Sequence, residues 1–170
     1  MAIVGRSENL RLKSEEDTLL IASRVANALV AHLPQDVSLN CWLEGDLGAG
    51  KTTFTRYLLR TLGHQGKVKS PTYNLCEPYS LSYLGKSIDI HHFDLYRMNH
   101  PREWEEAGFR DIFISSGICI IEWPEIAEGT LPPADLQIHL EVNPDDSRTL
   151  YIEALSELGL EILNDIIQHE

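Results

Sequence analysis

The chain has 170 residues, 43% of them hydrophobic, with 26 acidic against 14 basic side chains and a formal net charge of −12 at pH 7. That length and apolar content are enough to bury a real core, and one domain spanning 1–170 is expected. So acidic a balance argues against a broad nucleic-acid-binding face, because it repels the phosphate backbone.

Ser14, with Asp17 three residues on, reads as a helix cap with an acidic first turn; Leu19, Ala22, Ala26, Leu29, Val30 and Leu33 then mark one helical face, which Pro34 ends. Val37, Leu39, Cys41 and Leu43 alternate with other residues as a strand that enters "GDLGAGKTTFTRYLL". Phe54, Tyr57, Leu58 and Leu62 recur at helical spacing, and Gly63 supplies a stop. "TYNLCEPYSLSYLGKSIDIHHF" predicts two strands joined by a turn at Leu84-Gly85-Lys86. "PREWEEAGFRDIF" predicts a short acidic helix ended by Gly108, with Trp104 anchoring it to a sheet. "GICIIEW" is a continuous apolar strand of the kind found at the centre of a parallel sheet. "DLQIHLEV" and "RTLYIEAL" alternate as a late hairpin, and the amphipathic segment from about residue 156 is either a peripheral packed helix or a partly mobile tail.

Three cysteines, Cys41, Cys76 and Cys119, fall in strands with no CxxC pair, and read as buried thiols of a reducing compartment. No stretch approaches a membrane span and no signal-peptide pattern opens the sequence, so a cytoplasmic location is expected. Arg56, Arg60, Lys67 and Lys69 form the one local run of cations, read equally well as a solvated face or a partner contact.

The strand–loop–helix at 37–62 carries the chemistry. Gly45, Gly48 and Gly50 permit backbone angles that turn successive N–H groups inward around an anion. The spacing Gly45-x-x-x-x-Gly50-Lys51-Thr52 is that of a P-loop, in which the backbone from Gly45 through Asp46, Leu47, Gly48, Ala49 and Gly50 to Thr53 cradles phosphates. Lys51 then reaches the β and γ phosphates, and the Thr52 hydroxyl ligates Mg²⁺. Such a site needs a second acid at the end of a neighbouring strand. Glu122 closes the apolar strand Ile118 to Ile121, and Asp94 closes "SIDIHHF". The residues leave open which of the two activates water. Adjacent His91 and His92 point to opposite faces of a strand and favour packing or hydrogen bonding over a shared zinc. Arg97 is placed to reach phosphate, a partner carboxylate, Asp94 or the "EWEE" acids; Tyr73, Tyr79 and Tyr96 read as partly buried strand aromatics.

"GDLGAGKTTFTR", "VKSPTYNL", "HHFDLYR" and "IIEWPE", in this order, closely resemble the TsaE family of bacterial P-loop ATPases from about Ser14 to Arg148. The resemblance implies a part in making threonylcarbamoyladenosine in tRNA, alongside a TsaD–TsaB pair that performs the transfer, with tRNA met through that complex. It implies ATP and Mg²⁺ as ligands, catalytic roles for Lys51, Asp94 and Glu122, and a metal shell of Thr52 and Glu122 with Asp94 direct or through water. It further implies a Trp123 beside the site, Glu15 and Thr18 near the adenine, and a switch-like segment at Ser70–Tyr73.

Two other classes remain. A small-molecule kinase would need an Arg-bearing lid, and none follows the P-loop helix; a non-catalytic nucleotide-dependent binding module would need no acid at the strand ends. A GTPase is disfavoured because no NKxD motif occurs. The expected architecture is a three-layer α/β P-loop fold: a mostly parallel central sheet, antiparallel edge strands and helices on both faces. The chain alone is expected to be a monomer.

Overall fold

A computed structural model of the chain describes residues 2–71 and 74–168. Its frame is an eight-stranded sheet. Strands β3 (Ser38–Glu44), β5 (Lys86–Asp94), β6 (Gly117–Glu122) and β7 (Leu136–Val142) run parallel in the order β7-β3-β6-β5. Antiparallel strands extend both edges: β4 (Cys76–Tyr83) beside β5, and β8 (Arg148–Ala154) beside β7, with β1 (Gly5–Arg6) and β2 (Leu10–Leu12) on β8. This is the expected mostly parallel sheet with antiparallel edges.

Each strand is where its residues require it. β6 lies between two parallel neighbours and buries every residue, so both faces must be apolar, as its run of Ile and Cys is. The β4–β5 hairpin turns on Leu84 and Gly85, both at positive φ (51° and 78°), as a two-residue hairpin loop demands. Cys41, Cys76 and Cys119 are all buried thiols, and burial pushes each pKa up to about 12, which leaves them poorly nucleophilic.

Three long helices cover one face: α1 (Glu15–Ala31), α2 (Lys51–Thr61) and α4 (Glu157–Gln168). Ser14 caps α1, its hydroxyl accepting from Asp17 N, while the Asp17 carboxylate accepts from Lys13 N at 2.8 Å. The buried stripe of α1 contains most of the expected one and is wider. Ala22, Ala26, Leu29 and Val30 are buried as expected and Leu33 packs half-buried on the core, but Leu19 is 41% exposed, and the dry face widens to take in Thr18, Ile21, Val25 and Ala28. Val37 is likewise exposed, just ahead of β3. The C-terminal segment is a packed helix, not a tail: Ile162, Leu163 and Ile166 are buried, and His32, the C-cap of α1, hydrogen-bonds Asp165 at 3.1 Å.

The opposite face has thinner cover, from the short helix α3 (Glu103–Glu106) and two 3₁₀ turns, Arg110–Ile114 and Pro124–Ala127. Aromatic bulk replaces helix length there. Trp104 packs edge-on to Phe113, Phe113 stacks on Phe93, and the Trp104 indole N–H donates to Thr130 Oγ1 at 2.8 Å. Helices thus lie on both faces, on unequal terms, and Trp104 is the anchor its sequence position suggests.

Candidate functional site

The loop between β3 and α2 is shaped by contacts a larger residue would destroy. A Cβ on Gly45 would come within 2.6 Å of the Leu140 carbonyl of β7, and Gly50, at φ 105°, is a left-handed N-cap for α2. No side chain caps that helix and no acid sits in its first turn, so its leading N–H groups and dipole are available to an anion. Arg148, projecting from β8, braces the loop from behind: its guanidinium donates to Ala49 O and Gly48 O at 3.3 Å, and to Asp146 O. Holding the Ala49 carbonyl outward leaves the Gly50 N–H on the opposite edge of the same planar peptide.

At the head of α2, Lys51 is buried; its Nζ donates to Gly45 O at 2.5 Å and stands 3.5 Å from the Trp123 ring centroid. Burial lowers the Lys51 pKa, while Glu122, Glu125, Asp94 and Asp46 act to raise it. Trp123 holds this position at a price in backbone conformation: it is left-handed, φ 60°, although it precedes Pro124. Strain of about 1–3 kcal/mol at such a residue clusters at functional sites. Tyr96 tilts against the same indole at 4.9 Å, and 46% of Tyr96 is exposed, so this tyrosine is a surface residue and not the partly buried one expected. Tyr79 is half-buried against the core.

The two acids meet. Asp94 and Glu122 are register partners on the parallel pair β5–β6, and each follows its strand's alternation onto the side facing α2. Glu122 is 2% exposed, so a solvent-facing carboxylate is ruled out; Thr52 Oγ1 lies 3.3 Å from each of its oxygens. Asp94 accepts from Tyr96 N at 3.0 Å, and burial raises its pKa, partly opposed by that hydrogen bond. Thr52 Oγ1 also lies 2.8 Å from Ser70 Oγ. Thr72 and Tyr73, the rest of the switch-like segment, lie outside the described residues.

These residues enclose a cavity of about 240 Å³ that runs along Leu47 to Thr53 and ends on Asp94, Glu122 and Trp123. A second cleft of about 330 Å³, on the far side of Gly50 and Thr53, brings in Glu15, Thr18 and Arg148. The donor set fits Mg²⁺. A hydroxyl and a carboxylate 3.3 Å apart are within reach of one ion with oxygens at about 2.0–2.1 Å. Among the described residues no group of three or more His, Cys, Asp and Glu side chains is arranged to hold a metal, and Mg²⁺ asks for only one or two carboxylates when phosphates supply the rest.

Sequence reasoning missed Arg148, because 99 residues separate it from the loop carbonyl it braces and nothing local marks it. It placed His92 in a hydrogen-bonding role without finding the partner, which is Glu122, 2.5 Å away. Arg97 lines an exposed cleft with Asp94 and Glu103 and forms no ion pair among the described residues.

Comparison with known proteins agrees with this arrangement. The family model of TsaE, threonylcarbamoyl adenosine biosynthesis protein, matches residues 12–150. A Haemophilus influenzae protein named tRNA threonylcarbamoyladenosine biosynthesis protein TsaE is 42% identical over 150 residues, 88% of this chain and 92% of its own. A Bacillus subtilis protein of the same name is 35% identical over 128 residues, 75% of this chain and 77% of its own. The crystal structure of Bacillus subtilis YdiB superposes with a TM-score of 0.77 at 28% identity, covering 99% of both chains. With a family match over most of its length and the P-loop architecture to go with it, the chain belongs to the TsaE family of the tRNA threonylcarbamoyladenosine biosynthesis machinery.

Proposed function

We propose that this chain binds ATP with Mg²⁺ across Gly45–Thr52 and hydrolyses it, weakly alone and faster with a TsaD–TsaB pair, to support that pair's modification of tRNA. One observation carries the reading: Thr52 Oγ1 sits within 3.3 Å of both oxygens of the buried Glu122, at the uncapped head of the P-loop helix. The chain acts as one domain, as a monomer when alone, in the cytoplasm, with tRNA reached through the complex. Among the described residues no helix is long and apolar enough to cross a membrane.

When bound and held by Thr52 and Glu122, Mg²⁺ would supply charge neutralisation to the phosphates. The chain's residues do the rest. The Gly48–Thr53 backbone orients the phosphates, and Lys51 moves from the Gly45 carbonyl onto the β and γ oxygens. Thr52 and Glu122 hold the metal shell. Asp94, kept protonatable by burial, lies beside Glu122 where it can accept a hydrogen bond from the attacking water. Glu15 and Thr18 form the wall met by the base in the second cleft, and Trp123 covers Lys51.

Phosphate release from ATP, measured for wild type and Lys51→Ala with and without TsaD–TsaB, tests the reading. Stimulation by the pair that vanishes in the variant supports it. Tight Mg-nucleotide binding with no turnover under either condition would replace it with a binding module, and transfer to an added acceptor in place of water would make the chain a kinase.

A further inference from the structure

His92 is fully buried, yet among the described residues only one of its ring nitrogens has a hydrogen-bond partner: Nε2 lies 2.5 Å from Glu122 Oε2, and Nδ1 has none. An unsatisfied buried polar atom costs about 1–3 kcal/mol, so a ring serving packing alone would be better replaced by an apolar one. The register shows what the ring does instead. On β5, His92 shares a face with Asp94; it pairs with Ile120 of β6, one side-chain step behind Glu122 on that face. The imidazole therefore backs the carboxylate, and Thr52 approaches the same carboxylate from α2.

The structure assigns His92 as the positioning residue for Glu122. Its Nε2–H donates to Oε2 and so locks the carboxylate rotamer against Thr52, whose hydroxyl lies 3.3 Å from both oxygens. A carboxylate oxygen accepts, so the 2.5 Å contact itself puts the donating proton on Nε2. Loss of this donor would leave a carboxylate that is 2% exposed with Thr52 as its remaining hydrogen-bond donor among the described residues, free to turn away from the metal position. Carboxylate ligands to metals are themselves held by hydrogen bonds, and removing such a support typically costs 10–100-fold in metal affinity. This inference rests on the reading of Glu122 as a Mg²⁺-shell residue.

The experiment compares full-length wild type, His92→Leu and His92→Gln, titrating MgCl₂ against binding of a non-hydrolysable ATP analogue, with a parallel titration in EDTA. The glutamine amide nitrogen reaches about where Nε2 sits; leucine offers no donor. The Mg²⁺ concentration at half-saturation should rise about 10–100-fold in His92→Leu and largely recover in His92→Gln, with affinity in EDTA unchanged in both. A wild-type Mg²⁺ requirement in His92→Leu, or a glutamine variant no better than leucine, overturns the assignment. Should His92→Leu not fold, ¹⁵N spectra of the wild-type imidazole decide, since an Nε2 that carries no proton overturns it equally. If wild type itself binds the analogue without any Mg²⁺ dependence, it is the metal reading of the site that fails, a result distinct from wild-type dependence that the variants leave unmoved.

Discussion

The two faces of the sheet solve different problems with the same strands. On the face covered by α1, α2 and α4, strand ends present Asp94, Glu122 and His92 toward the P-loop helix, and the buried polar groups there are knitted to one another. On the other face, the side chains one position away in the alternation, Phe93 and Ile121, enter a cluster with Trp104 and Phe113. Period-two alternation thus sorts chemistry from packing residue by residue. Trp123 joins the two, packing against the aromatic cluster while its ring meets Lys51.

Substitutions on each face should therefore separate stability from nucleotide chemistry. The largest effect is expected from Trp104→Ala, which opens the thin face and removes the bond to Thr130; denaturant unfolding should show a loss of about 3–5 kcal/mol, with analogue affinity of the folded protein unchanged. A loss of affinity as large as the loss of stability would show that the faces are not separable. Next, Lys51→Ala should lower partner-stimulated turnover by about 10²–10³-fold if the proposed role of its charge at the phosphates holds, while the unfolding midpoint stays or rises because a buried cation is gone. Marked destabilisation would mean that the Gly45 and Trp123 contacts outweigh the burial of the ammonium.

Arg148→Ala probes the brace behind the loop. About tenfold weaker analogue binding is expected by calorimetry, from loss of charge-assisted hydrogen bonds to the Gly48 and Ala49 carbonyls, with the Mg²⁺ requirement unchanged. Unaltered affinity would show that the glycine loop holds its shape unaided.

The smallest effect is a pH-dependent one. Burial raises the Asp94 pKa, so the folded protein holds that proton more tightly than the unfolded chain does, and ionised Asp94 subtracts from stability. The penalty is absent below the ordinary carboxylate range and complete above the raised value. Asp94→Asn should accordingly stabilise the protein at pH 7 and make no difference near pH 3, as read from melting curves. Destabilisation at pH 7 would show that the Tyr96 N–H bond outweighs burial.

Much of this was legible in residue order. Glycine spacing, the Lys51-Thr52 pair and the flanking periodicities marked the loop; the unbroken apolar run before Glu122 foretold a central strand and a buried acid. On α1 only Leu19 was misplaced, because leucine at 19 and 20 satisfies a hydrophobic pattern equally well from either side, and only packing on the sheet decides which side is dry. The short α3 was legible in Gly108 just beyond it, but the 3₁₀ turns and the Phe93–Phe113 stack that complete that face were not, because they depend on strands brought together from elsewhere in the chain.

What the amino-acid order determined by itself is the local machinery: a strand, a loop whose glycines must bend, a helix whose first residues are Lys51 and Thr52, and two acids at strand ends. Those follow from backbone sterics and side-chain period, which act over a few residues. The tertiary structure decided which side chains meet. That Asp94 faces Glu122, that His92 stands behind it and that Arg148 reaches the loop from 99 residues away are consequences of parallel register and of a hairpin folding back across the sheet edge. Register is set by burying whole faces, a cooperative property that no short segment encodes.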